Sequence, residues 1–132
     1  MSKNIKLLYL IPALWASLFD ISITIVNQSK DYWAGNLSMA NEGNPIGNHM
    51  MTNHISGIFT ISIFWIILIS VLGFYLPRKA SRIFLLFVFI AHSWGGSTWI
   101  SMQYGFWFVI IYMFFNSCLF YTIEDMVKKK SE

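Results

Sequence analysis

The chain has 132 residues, of which 56% are hydrophobic, 18% are aromatic and only 11% are charged. A soluble domain normally has about 25% charged residues, so this composition excludes an ordinary water-soluble protein. The net charge of +3 does not indicate a nucleic-acid partner, because the basic residues lie in short clusters beside apolar runs, as membrane orientation requires.

Four apolar runs are long enough to cross a bilayer, which takes about 20 mostly apolar residues. They cover approximately residues 7–26, 55–76, 83–102 and 106–123. The sequence therefore predicts an all-α, four-helix integral membrane bundle. Residues 1–132 are expected to form a single membrane domain whose main partner is the lipid bilayer. The single cysteine, Cys118, permits no intrachain disulfide.

The first run has a polar stripe. Ser17, Asp20, Thr24 and Asn27 are spaced by 3, 4 and 3 residues, which places them on one face of a helix. A carboxylate in hydrocarbon costs at least about 2.5 kcal/mol, so Asp20 is expected to face the bundle interior or a water-filled crevice. A cleaved signal peptide is the alternative for this run. The retained span is favoured because the apolar residues continue to position 26.

A polar insert, residues 27–54, separates the first two spans. It contains the turn Glu42-Gly43-Asn44-Pro45, which argues against one continuous helix. Pro45 is expected to begin a short helix that leads through His49 towards His54. Tyr32 and Trp33 are suited to the headgroup level of the membrane.

The third span changes character halfway along. Residues 83–91 are plainly apolar, whereas residues 92–98 begin with His92 and contain Gly95 and Gly96. Small residues let helices approach closely, so this half is expected to face neighbouring helices. Residues 103–105 are predicted to form a turn, Asn116 is predicted to make an interhelical hydrogen bond, and residues 124–132 are interpreted as a tail.

The basic residues predict the orientation. Eight of the nine Lys and Arg residues fall on one side if the N-terminus is inside, and Lys30 falls on the other. The eight are Lys3, Lys6, Arg78, Lys79, Arg82, Lys128, Lys129 and Lys130. The positive-inside rule then predicts cytoplasmic termini and an insert that faces outside, in the cytoplasmic membrane of a prokaryote.

Depth along the helices suggests one polar site. Counting about 1.5 Å per residue places Asp20 and His92 near the middle or outer half of the membrane, where the insert can reach them. The candidate ligand or polar-site residues are Asp20, Thr24, Glu42, Asn44 and His92. Simpler structural roles are also open: Asp20 fastens the insert through Asn44 or backbone amides, His92 bonds a Ser or Thr across a helix interface, and Glu42 caps its turn.

A divalent metal is a candidate cofactor, because carboxylate and imidazole both serve as ligands. The metal-ligand candidates are Asp20, Glu42, His49, His54 and His92. No His-Glu-x-x-His or paired-cysteine motif is present. His49 and His54 would also lie about 140° apart around a helix, so they would not share one face.

Asp20-Ile21-Ser22-Ile23-Thr24, followed by Glu42-Gly43-Asn44-Pro45, resembles a family of small bacterial and archaeal membrane proteins of unknown function. That family pairs an Asp-x-x-x-Thr helix with a Glu-x-Asn-Pro turn. The resemblance covers about the first 50 residues and departs in the long insert before Glu42. It implies a defining set of Asp20, Thr24, Glu42, Asn44 and Pro45, and it implies no activity.

These observations favour a non-catalytic binding or accessory subunit with an outward-facing polar crevice. Its partner would be a small ligand, a second copy of the chain or a larger membrane complex. Two alternatives stay open: a metal-dependent membrane enzyme that uses Asp20, Glu42 and the histidines, and a small transporter that works as an oligomer. The sequence assigns no catalytic residue.

Overall fold

The computed structural model describes residues 3–131, so residues 1, 2 and 132 of the predicted domain lie outside it. Within that range the chain is helical and forms no strand. The α-helices are α1 (Lys3–Val26), α2 (Lys30–Trp33), α3 (Pro45–Asn53), α4 (Gly57–Tyr75), α5 (Arg78–Tyr104) and α6 (Phe106–Ser131), and a 3-10 turn covers Leu37–Met39.

Four of these helices, α1, α4, α5 and α6, are long and apolar enough to cross a membrane. They correspond to the four predicted spans, so the helical membrane class is confirmed at this level. The ends differ from the prediction. The expected turn at residues 103–105 is reduced to Gly105, which has a positive φ of 87° and separates α5 from α6. The expected tail continues α6 to Ser131.

Helix α1 occupies the centre of the bundle and packs against α4, α5 and α6. The main core joins Leu10 and Ala13 of α1 to Ile69 of α4 and to Leu85 of α5. Gly73 of α4 allows this approach, because a Cβ atom there would lie 2.5 Å from Leu10 Cδ2 and 2.8 Å from a Leu85 methyl group.

The first turns of α1 lie beside the last turns of α4 and α6. Ile5 packs against Ile123 and Val127 of α6. The Lys6 ammonium donates a 2.8 Å hydrogen bond to the carbonyl oxygen of Phe74, near the C-terminus of α4, where a cation offsets the negative end of the helix dipole. The ends of three spanning helices therefore meet at one end of the bundle.

The polar insert between α1 and α4 is folded and attached. Gln28 pairs with the backbone of Asn41 in both directions: its Nε2 donates to the carbonyl oxygen at 2.8 Å, and its Oε1 accepts from the amide at 2.9 Å. Tyr32, Met51 and Ile58 form a small buried cluster. The Tyr32 side chain is fully buried and its hydroxyl donates to the Ile55 carbonyl oxygen, so this residue packs inside the insert, and its position at the headgroup level stays a prediction.

Candidate functional site

Three helices meet at a partly buried chain of an acid, an imidazole and an indole. Asp20 of α1 lies with its Oδ2 atom 2.8 Å from His92 Nδ1 of α5. On the other side of the ring, Trp65 of α4 donates its indole N–H to His92 Nε2 at 2.5 Å. The Asp20 and His92 side chains are 20% and 17% exposed, so water or a small ligand reaches them only in part.

The indole determines which ring nitrogen of His92 holds the proton. An indole N–H is a donor only, so Nε2 must accept and must carry no proton. The proton of the neutral ring then lies on Nδ1, which donates it to Asp20. A hydrogen bond to a carboxylate is stronger than a neutral one, so this arrangement orients the imidazole from both sides.

Gly95 explains why a carboxylate fits between the helices. A Cβ atom at Gly95 would lie 2.6 Å from Asp20 Oδ2 and 2.8 Å from Oδ1. One turn of α5 separates Gly95 from His92, so the same face presents both the missing side chain and the imidazole. The prediction that residues 92–98 face neighbouring helices is confirmed at Ser93, Gly96 and Ser97, which are buried.

Glu42 lies next to this chain from the insert side. Burial is the largest effect and raises the pKa of its carboxyl group, and the charge of Asp20 raises the pKa further. The backbone N–H of Asn44, which donates to Glu42 Oε1 at 2.7 Å, lowers the pKa, and any positive charge on His92 lowers it as well. Glu42 thus caps its turn, as one interpretation proposed, and also lies within electrostatic reach of Asp20.

The position of Glu42 depends on Gly47 in the first turn of α3. A Cβ atom at Gly47 would lie 2.9 Å from Glu42 Cγ, so the acid packs directly on the helix backbone. Gly43, by contrast, has no atom within 4 Å of such a Cβ position. We call Asp20, His92, Trp65 and Glu42 together the Asp20 site.

A second polar group adjoins the Asp20 site. Asn116 of α6 accepts from the Trp15 indole N–H at 3.1 Å and donates to Ser93 Oγ at 3.0 Å, which confirms the predicted interhelical hydrogen bond. Ser17 Oγ is buried nearby and has no hydrogen-bond partner among residues 3–131. The polar stripe of α1 therefore faces the bundle interior.

Two expected contacts are wrong. Asp20 does not fasten the insert through Asn44, because its hydrogen bond goes to His92 and the Asn44 side chain accepts from the Ile46 amide at the start of α3. His92 bonds Asp20 and Trp65 rather than a Ser or Thr. Thr24 is buried, and its carbonyl oxygen accepts from Gln28.

The five metal-ligand candidates do not come together. His49 is exposed and lies beside Asn53, and His54 is exposed and pairs with Ser56. Among residues 3–131, no three His, Cys, Asp or Glu side chains form a group that could hold a metal ion. Of these candidates, Asp20 and His92 are in contact, and Glu42 lies within electrostatic range of both.

Sequence reasoning missed Trp65 and Gln28. Trp65 lies in an almost wholly apolar span, where a tryptophan is usually read as a packing residue, and its partner is 27 positions away. Gln28 lies four residues after Thr24, so helical spacing places it on the same face as the predicted stripe.

No protein-family model, curated protein or solved structure matches this chain.

Proposed function

We propose that the protein is a non-catalytic membrane binding subunit whose Asp20 site takes up a small cation in exchange for a proton. The observation that carries the proposal is the Asp20–His92–Trp65 chain with Glu42 beside it. The site contains two carboxyl groups and an imidazole, and Asp20 and His92 are only partly exposed. The Lys and Arg ion pairs of the described residues lie elsewhere, at Arg82–Glu124 and Lys129–Asp125.

Electrostatics supports a cationic ligand. Two carboxylates that are close together and partly removed from water repel each other when both are ionised, and one then holds its proton more tightly. Burial is the largest cause of the raised pKa of Glu42, and the charge of Asp20 raises that pKa further. A cation that enters the site stabilises both charged carboxylates, so its binding lowers the pKa of Glu42 and releases a proton at any pH where this group is still protonated.

The hydrogen bonds of His92 favour binding over catalysis. A general base needs a free lone pair within reach of the proton that it takes, and a histidine ligand likewise uses a lone pair to bind a metal. Here the lone pair of Nε2 accepts from Trp65, and Nδ1 carries the proton shared with Asp20. The imidazole is therefore a support for Asp20 in this arrangement.

The proposed orientation has cytoplasmic termini and an insert and Asp20 site that face outside. It is supported by eight basic residues that flank the spanning helices at one end of the bundle, the end at which Ile5 packs against Ile123 and Val127. Reporter fusions after Arg82 and near Gly35 test it, because they should read cytoplasmic and external respectively. A cytoplasmic signal from the Gly35 fusion would reverse the orientation.

Proton release tests the binding proposal. The purified protein in a weakly buffered, mildly acidic detergent solution would receive sodium, potassium or ethylammonium chloride in turn, with a pH indicator as readout. We expect one of these cations to release up to about one proton per chain. Glu42→Gln should abolish the release, and Asp20→Asn should weaken the binding of the cation. Asp31→Asn, which removes an exposed acid of the same insert, is the matched control.

The alternatives predict other results. Release that is absent for all three cations, or unchanged in Asp20→Asn, would refute the proposal. A stoichiometric divalent metal in the purified protein would favour the metal-dependent enzyme, and cation flux into liposomes would favour an oligomeric transporter. We also propose that the Asp20–Thr24 and Glu42–Pro45 motifs reflect a site shared with the family that they resemble.

A further inference from the structure

A groove lies between α1, α5 and α6, along the N-terminal half of α5 that precedes His92. We call it the terminal groove. Its volume is about 470 Å³, within the range of about 300–1,000 Å³ that is usual for small-molecule sites. Its walls are mainly apolar and include Pro12, Ala13, Leu86, Phe89, Phe120 and Ile123. It opens on the side of a helix that is long and apolar enough to span a membrane.

Basic residues line one rim of the terminal groove. Arg78 and Lys79 are exposed, and neither forms an ion pair within the described residues. They lie in the first turn of α5, where the helix dipole is already positive, so they raise the local potential further. Cations at this helix end are unfavourable unless an anion is nearby.

Arg82 continues the rim in a different way. Its Nη2 atom lies 3.1 and 3.0 Å from the two carboxylate oxygens of Glu124, and its guanidinium lies over the Tyr9 ring at 5.0 Å. This pair is close to neutral and joins α5 to α6 across the groove. The uncompensated charge on the rim is therefore that of Arg78 and Lys79.

We propose that the terminal groove binds an anionic phospholipid, with an acyl chain along its apolar walls and the phosphate against Arg78 and Lys79. The argument is charge complementarity at the correct depth. The groove is apolar where it faces the bilayer core and cationic where the headgroups would lie. Basic pockets between spanning helices commonly bind anionic headgroups, and each Lys or Arg near an anionic surface favours binding about fivefold.

Native mass spectrometry of the full chain tests this proposal. The protein in detergent would receive equal amounts of dioleoyl phosphatidylglycerol and dioleoyl phosphatidylcholine, and the bound lipids would be counted. We expect phosphatidylglycerol to be retained about 5- to 25-fold more than phosphatidylcholine, since one or both basic residues contribute about fivefold each. The double variant Arg78→Gln/Lys79→Gln should abolish most of this preference, whereas inorganic phosphate in excess should not displace the lipid.

Matched variants separate the groove from general surface charge. Lys3→Gln/Lys130→Gln removes the same charge from the same end of the bundle, also from side chains without an acid partner within residues 3–131, and should leave the preference unchanged. Ile83→Trp, at an exposed groove position, should reduce the retention of lipid by filling the groove. An equal loss in both double variants, no preference in the wild type, displacement by phosphate or no effect of Ile83→Trp would each overturn the proposal. Circular dichroism verifies that every variant keeps its helix content.

Discussion

Replacing Gly95 by alanine should break the Asp20 site by adding a single carbon atom. The new Cβ would lie 2.6 Å from Asp20 Oδ2 and 2.9 Å from Cγ, so the carboxylate must move away from His92. Inserting a methyl group into a packed interior costs about 1–3 kcal/mol, and an interhelical hydrogen bond in a membrane protein contributes about 0.6 and at most about 1.7 kcal/mol. Alanine gains about 0.5–1 kcal/mol over glycine in a helix. The net loss should be about 1–2 kcal/mol.

The background carrying Asp20→Ala provides the decisive control, because alanine lacks Cγ and both carboxylate oxygens, the atoms with which the new Cβ collides. In that background Gly95→Ala should cost nothing or stabilise the protein by up to about 1 kcal/mol. Reversible unfolding in mixed detergent, followed by circular dichroism, measures both differences. The same cost for Gly95→Ala in the two backgrounds would refute the assignment of Asp20 as the neighbour of Gly95.

Three further predictions concern the insert. Gln28→Ala should speed proteolysis within residues 27–54 while changing the unfolding of the bundle little, since it removes both hydrogen bonds to the Asn41 backbone; unchanged proteolysis would contradict this attachment. Burial raises the pKa of Glu42 above its ordinary 4.5, so the closed insert is most stable at lower pH and should lose hydrogen-exchange protection as the pH rises through the raised pKa. Glu42→Gln should remove this pH dependence, and a variant that keeps it would show that another group titrates. Gly47→Ala should displace Glu42 and lower that protection, whereas Gly43→Ala should not; equal protection in the two variants would mean that Glu42 has room to move.

Hydropathy predicts the class of this fold because lipid leaves the backbone few alternatives. A spanning segment must satisfy its own N–H and C=O groups, so an apolar run of the right length is a helix. The same reasoning predicts helix ends poorly. Helix α6 continues past the apolar residues to Ser131, with Lys129 and Asp125 paired at 2.7 Å one turn apart, because a helix can leave the membrane without ending.

The sequence alone does not predict which side chains of the site contact each other. The spacing of Ser17, Asp20 and Thr24 correctly predicts which face of α1 is buried, since this needs only helical periodicity. The partners of that face depend on which helix lies beside it and on the rotation of that helix. Asn44 and Gln28 illustrate the difficulty, because both carry a side-chain amide. In the structure Asn44 caps α3, and Gln28 is the residue that attaches the insert.

The Asp20–His92 contact joins residues 72 positions apart, and this separation determines when the site is completed during synthesis. At about 5–20 residues per second, roughly 4–14 s pass between the synthesis of the two residues. Throughout that interval α1 carries a carboxylate without its imidazole, in a helix whose surroundings are otherwise apolar. The free-energy cost of an unpaired Asp20 carboxylate therefore applies chiefly during membrane insertion. Changes that delay the synthesis of α5 should lower the yield of inserted protein more than the stability of the finished bundle.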